Sequence, residues 1–401
     1  MKKGYLKKTL RQTAEIFTEE LKNVFKDSGV IIIFFAAGLI YPILYSSIYK
    51  NEAYRNVAVA VVNEKPTCES RELVRRLDAT PEINVKYTVN SIQEARKLFA
   101  ENKVYGVILI PSEFSKDLAE GRQTQVFAYS TISSMMYYRT MYAGFNAVVM
   151  GMDKQIQLKN LKDLGLTDRQ ATVMAEPVLS EGHALYNPKA GFSSFLLPAI
   201  LVLIIQQTLV LGIGLLAGTA REENTFHQLI PYQQKYHGTM RIISGKGLAY
   251  LVIYTFISVY NLLLVPYLFK LPHFLNLATI VPFLLPFLLA CIFFGMAISV
   301  FFWNREMSLL LYLCLSVPLL FMSGFSWPGA HIPVFWRMIS MFFPSTFGIN
   351  AFVKMNSMGA SLADVGPQIF AMWVQAGIYF VFAWFVYYWQ IKLSERKIRR
   401  S

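Results

Sequence analysis

The chain has only three cysteines in 401 residues, and their placement rules out an internal disulfide framework. Cys291 and Cys314 lie in apolar runs, and Cys68 stands alone in a polar region. The five histidines, His183, His227, His237, His273 and His331, keep no metal-ligand spacing to one another or to the cysteines, which speaks against a metal centre. No G-x-x-x-x-G-K-[ST] phosphate loop occurs, because Ser244-Gly-Lys-Gly lacks both the earlier glycine and the closing hydroxyl. The chain is therefore not expected to hydrolyse ATP alone. Charge is sparse too, at 16% of residues, and neither paired carboxylates nor a Cys/His arrangement falls within the apolar stretches, which leaves little basis for a membrane enzyme.

What is abundant is apolar: 54% of the residues are hydrophobic, in runs long enough to cross a hydrocarbon core of about 30 Å at about 1.5 Å per residue. These runs cover about Val30 to Ser47, a stretch of roughly twenty-five residues between Tyr186 and Arg221, and about Leu248 to Leu268, Phe274 to Phe301, Met307 to Met322 and Phe370 to Ile391. Six spans account for the hydropathy. The formal charge of +13 sits in segments flanking the spans, where the positive-inside rule places it, so nucleic-acid binding is not expected.

No signal peptide is expected, since residues of mixed charge precede the first run and no small-residue cleavage motif follows it. Leu6, Leu10, Ala14, Phe17, Leu21 and Val24 recur at steps of three and four, opposite Lys7, Lys8, Arg11, Lys22 and Lys26. That pattern predicts an amphipathic helix, either lying on an anionic inner membrane surface or solvated in the cytoplasm. Lys392, Arg396, Lys397, Arg399 and Arg400 match this basic N-terminus, so both termini are expected to be cytoplasmic.

The long, nearly neutral region after the first span is expected outside the membrane as a domain of its own. Val57 to Val62, Val85 to Thr88, Val104 to Ile110 and Val126 to Tyr129 read as strands. Helices alternate with them, one over Ser70 to Leu77 and one opened by a capping box at Ser91-Ile-Gln-Glu94; a second box stands at Thr167-Asp-Arg-Gln170. The alternation predicts a small α/β domain. Met135, Met136, Met141, Met150, Met152 and Met174 either fill a helical core or offer an adaptable apolar surface.

Two motifs carry a family resemblance. Tyr186 to Tyr250 joins an Asn-Pro lead-in, an apolar span, the Arg221-Glu-Glu cluster and a Ser-Gly-Lys return, in that order. Between Ser323 and Met355, Gly324, Pro328, Gly329, Pro333 and Pro344 interrupt an apolar stretch, which predicts a helical hairpin dipping in from the outer side. Its Ser-Gly-Phe turn and later Phe-Pro-Ser-Thr, with the first motif, resemble the membrane subunits of type-2 ABC exporters.

The resemblance implies a membrane all-α six-helix permease with an inserted extracytoplasmic α/β domain and an outer-face re-entrant hairpin. The boundaries expected are an amphipathic helix at 1–28, a first span at 29–49, an external domain at 50–190, a five-span domain at 191–391 and a basic tail at 392–401. Within the five-span domain, a coupling segment at 219–246 and the hairpin at 323–355 are distinguished. The resemblance further implies two separate ABC ATPase subunits using ATP and Mg, no cofactor bound by this chain, a second permease copy or paralogue, and a bacterial inner membrane. The large external domain resembles those of permeases that work with a periplasmic adaptor and outer-membrane duct.

Carried over residue by residue, the ATPase-coupling positions are Arg221, Glu222, Glu223 and Thr225, with Gly245 and Lys246 where the chain returns to the membrane. The other reading makes Arg221 a topology anchor and the glutamates solvated neighbours. The family pattern has Gly and Glu where this chain has Asn224 and His227, which puts the details of the motor contact in question. Gln206, Gln207 and Asn261, polar within spans, either line a substrate path or make ordinary interhelical hydrogen bonds. Gly214 and Gly218 would allow close helix approach. Arg305 and Glu306 read as topology or assembly signals. The functional expectation is an ATP-driven exporter of an amphipathic or hydrophobic substrate; the alternative is a non-transporting transducer acting on an external partner.

Overall fold

The computed structural model describes residues 2–49, 54–131, 134–178, 182, 185–187, 191–233, 238–271 and 277–398. They fall into two compact units, Met1–Glu52 with Ala184–Ser401, and Ala53–His183.

In the smaller unit, β1 (Val57–Asn63), α3 (Cys68–Asp78), β2 (Ile83–Val89), α4 (Ile92–Ala100), β3 (Gly106–Ile110), α5 (Phe114–Ala119) and β4 (Phe127–Ser130) follow one another. The long α6 (Met135–Asp163) and the short α7 (Asp168–Ala175) complete it. The sheet order is β2-β1-β3-β4, with β1 parallel to both neighbours and β4 antiparallel. The unbroken Val-Ala-Val-Ala-Val-Val of β1 is apolar on both sides because helices cover both faces of this central strand. Thr167 and Gln170 form the expected capping box. Ser91 does not: it accepts from the Gln93 amide, and Glu94 does not reach back. The other capping box is Thr67–Ser70, whose hydroxyls serve each other's backbone amides at the start of α3.

The larger unit begins with α1 (Lys2–Lys26) and α2 (Ser28–Ile48), and continues with α8 (Phe192–Glu222), α9 (Gly238–Leu268), α10 (Leu277–Ile298) and α11 (Arg305–Met322). Two shorter helices, α12 (Val334–Ser340) and α13 (Pro344–Ser357), lead to α14 (Gly366–Ile398). Six of these, α2, α8, α9, α10, α11 and α14, are long and apolar enough to cross a membrane. Helix α8 is the centre of the bundle, with 78% of its most apolar window buried against 18% for α11. Asn187 precedes α8 and clamps its start, accepting from the Gly191 amide and donating to the Gly191 carbonyl.

Helices α2 and α9 each contain a π-helical segment, Ile32–Ala37 and Tyr260–Leu264. Such segments leave carbonyls free of their usual donors. Pro42 in α2 deprives the Gly38 carbonyl of the amide four residues on. Asn261 Nδ2 fills that place at 3.0 Å, and the Tyr260 hydroxyl reaches the Leu39 carbonyl at 3.4 Å.

Gly214 and Gly218 are occupied within the chain. A Cβ at Gly218 would lie 2.9 Å from the Arg305 backbone, and one at Gly214 would collide with Ser308, so α11 lies directly on this small-residue stripe of α8.

Candidate functional site

One end of the larger unit gathers the C-terminal end of α8, the start of α11, the start of α9, all of α1 and the last turns of α14. Three polar junctions hold it together. The first joins α1 to α9. Glu20 on α1 is 2% exposed; its carboxylate accepts from Lys246 Nζ at 2.5 Å and from the Tyr250 hydroxyl. Two turns earlier, Arg241 donates to the Gln12 side chain. Gln12, Ile16, Glu20 and Val24, four apart, are the buried face of α1. Gly245 makes this approach possible, because a Cβ there would lie 2.9 Å from Ile16.

This differs from the stripe expected from sequence. Leu10 is 64% exposed and Ala14 is exposed, while polar Gln12 and Glu20 point inward. The side chains of Leu6, Lys7 and Lys8 lie outside the described residues. Burying a carboxylate is tolerated because Lys246 and Tyr250 together replace its water. The signal in the sequence was a lysine, Lys246, in the first turns of an apolar span, which needed a partner that hydrophobic periodicity does not reveal.

The second junction centres on Arg305. Its guanidinium pairs with Asp27, whose same carboxylate oxygen caps α2 by accepting from the Gly29 and Val30 amides. Arg305 Nη1 also lies 3.4 Å from the Thr219 hydroxyl. Its backbone amide donates to Glu222 at 2.9 Å, so Glu222 caps α11 from the end of α8. Arg305, read from sequence as a topology or assembly signal, thus ties α1–α2, α8 and α11 to one point.

The third junction surrounds Arg221. Its Nη1 donates to the Val300 and Phe302 carbonyls at 3.0 and 3.1 Å, and its guanidinium sits over Trp303. Arg221 therefore satisfies the carbonyls left open where α10 ends.

Beyond these junctions the chain makes a turn that keeps Phe226 and Leu229 buried. Glu223 is exposed, Asn224 has φ +55, and Thr225–Leu229 forms a 3-10 turn whose Thr225 hydroxyl contacts the Ala220 carbonyl. The left-handed backbone accounts for the Gly-to-Asn departure at 224, since asparagine is among the few residues that adopt it readily. Asn224 also uses its side chain, accepting from Ser394 on α14, and its carbonyl lies 2.6 Å from His227 Nδ1. Burial, and then the Glu19 and Glu15 carboxylates of α1, push the Tyr232 phenol above its ordinary value. A cavity of about 470 Å³ lies among these elements, lined by Glu19, Asp27, Glu223, Lys246 and Arg305 among others.

The polar residues within spans sit elsewhere. Gln206, fully buried on α8, accepts from the Ser345 amide at 2.5 Å and donates to the Ser345 hydroxyl at 3.0 Å, so it caps α13; the Cys291 thiol approaches the same oxygen at 3.8 Å. Asn261 makes the Gly38 bond described above. The side-chain nitrogen and oxygen of Gln207 are buried without a hydrogen-bond partner among the described residues.

Five long apolar helices packed with the central α8, six in all among the described residues, define a multi-pass membrane protein. Residues 28–385 match the ABC-2 family transporter protein, and the chain belongs to that family. It is 21% identical over 329 residues to the probable multidrug ABC transporter permease YbhR of Escherichia coli strain K12, covering 82% of this chain and 85% of that protein. The corresponding YbhR of Escherichia coli O157:H7 is similar to the same extent. The chain is thus a transporter permease, and its family works with ATPase subunits.

Proposed function

We propose that this permease is the membrane subunit of an ATP-driven exporter, moving an amphipathic or hydrophobic substrate outward through a dimer of such subunits in a bacterial inner membrane. The link between α1 and α2 and the last turns of α14 lie near the Arg305 junction, through Asp27 on one side and the Asn224–Ser394 contact on the other. The basic flanks Lys392 and Arg396 favour a cytoplasmic setting for that end. Residues 54–183, inserted between the first and second spans, then lie outside, where an adaptor and duct would meet them.

The observation that carries the proposal is the Arg305 junction. It links α1–α2, α8 and α11, and exposed Glu223, followed by the turn Thr225–Leu229, lies next to it. A motor pressing on that turn or on α1 would move three spans together. The assignment of Arg221, Glu222, Thr225, Gly245 and Lys246 to coupling takes the form of bracing this end piece, with Glu223 as a direct motor contact.

Helices α12 and α13 are proposed as a re-entrant hairpin at the opposite, outer end. Gln375 and Tyr379, well inside α14, donate to the Met341 and Phe342 carbonyls, Thr346 serves the Ser340 carbonyl, and Gln206 caps α13. Irregular backbone at membrane depth requires such protein partners.

The test is reconstitution with the ATPase subunits in vesicles. Glu223→Lys should lower transport and substrate-stimulated ATPase activity about fivefold, equivalent to about 1 kcal/mol of contact, with insertion and thermal stability unchanged. Undiminished coupled transport removes Glu223 as a motor contact. ATPase stimulation by an external protein alone, never by substrate, would replace export with transduction.

A further inference from the structure

At the end of the bundle opposite the termini, a cavity of about 490 Å³ opens between the end of α11, the α12–α13 pair and the start of α14. That volume is in the range of small-ligand sites. Its lining contains two cations, Arg337 and Lys354, and no aspartate or glutamate. The cavity at the other end, by contrast, mixes four carboxylates with three cations.

The two cations are held differently. Arg337 Nη2 donates to the Gly329, Ile332 and Ala330 carbonyls at 2.7, 3.2 and 3.4 Å, which fixes the guanidinium in the wall. Lys354, on the last turns of α13, is half-buried, and its Nζ meets the Gln368 amide oxygen at 3.2 Å when that amide is oriented to accept. A neutral amide leaves the ammonium charge uncompensated. Ser340, Thr346 and Asn350 add polar groups to the lining.

Next to the cavity, whose wall includes Arg337, Ser340 and Met341, the remaining face of α12 is apolar and exposed. Val334, Phe335, Met338 and Phe342, in and just after α12, are 55–65% exposed, and Trp327 and Trp336 flank them. Aromatic residues of this kind collect where hydrocarbon meets headgroups. A water-soluble oxyanion would gain nothing from this neighbouring face, whereas an acyl chain would cover it.

We infer that this cavity binds the anionic headgroup of a membrane amphiphile, with Lys354 and Arg337 holding the phosphate or carboxylate and the amphiphile's chains lying over the exposed face of α12. The charge-assisted bond comes from Lys354, which among the described residues has no carboxylate partner and meets only the neutral Gln368 amide. The site is independent of the direction of transport and of the motor contact at Glu223.

The test uses the full-length protein in a neutral detergent, titrated with phosphatidylglycerol, phosphatidylcholine or inorganic phosphate, with binding read by native mass spectrometry and thermal shift. Phosphatidylglycerol should bind and stabilise, phosphatidylcholine should bind at least about tenfold more weakly, and inorganic phosphate should leave the melting temperature unchanged. Lys354→Gln should weaken phosphatidylglycerol about tenfold without changing the lipid-free melting temperature, Lys354→Arg should retain binding, and Lys270→Gln, an exposed lysine just after α9, should have no effect. If Lys354→Gln proves unstable, loss of binding in Lys354→Met alongside retention in Lys354→Arg decides the point. Equal binding of the two lipids, unchanged affinity in Lys354→Gln, or equal stabilisation by inorganic phosphate would overturn the proposal.

Discussion

Asn261 donates to the one carbonyl of α2, that of Gly38, which Pro42 leaves without its helical amide. The two helices thus share a defect: each departs from α-helical winding at the point where they meet, and one side chain makes the departure affordable. Asn261 is fully buried, so the bond has no water to replace it.

Asn261→Leu should lower stability by about 1–3 kcal/mol, the cost of leaving a buried carbonyl unpaired. Asn261→Asp should be worse, since a carboxylate cannot donate and its charge is buried. Pro42→Ala restores an amide donor near Gly38 and should reduce the penalty of Asn261→Leu. Denaturation of the detergent-purified protein measures all three; independent, additive effects would show that the two residues do not share the carbonyl.

The Glu20–Lys246 pair predicts non-additivity. Lys246→Met alone strands a buried carboxylate and should cost about 3–5 kcal/mol, whereas Glu20→Leu with Lys246→Met should recover much of that loss. Tyr250→Phe should cost about 1 kcal/mol. A double-mutant cycle by thermal unfolding checks this, and a coupling energy near zero would mean that α1 is not held at this point.

Adjacent glutamines should behave oppositely. Gln206→Leu removes the cap of α13 and should increase hydrogen exchange across Ser345–Asn350, with a stability loss of about 1–2 kcal/mol. Gln207→Leu removes polar atoms that have no partner among the described residues, and should be neutral or stabilising. If Gln207 lines the substrate path, the same change alters transport without lowering stability.

Much of the fold was legible because it is local. The strands from Val57, Val85 and Val126 and the cap at Thr167 follow from residue type and spacing, and six apolar runs mark six spans. The order β2-β1-β3-β4 was not legible, since pairing between distant segments leaves no local trace. Nor were the π-helical segments, whose side-chain period differs too little from an α-helix over five or six residues.

The polar end of the bundle was legible in part. The Arg221-Glu-Glu cluster falls within it, but Asp27, Glu20 and Gln12 escaped notice because each looks like an ordinary surface residue until its distant partner is known. Asn224 looked like a departure from pattern and has a conformational reason in its positive φ.

The junction between α1 and α9 also bears on biosynthesis. Glu20 and Lys246 are separated by 226 positions. At about 5–20 residues per second, the ribosome needs roughly 10–45 s to deliver the lysine after the glutamate. For that interval α1 carries a carboxylate without its lysine and several apolar side chains without their packing partners, so the nascent helix must be held by the membrane surface or by other factors until the third span has been inserted.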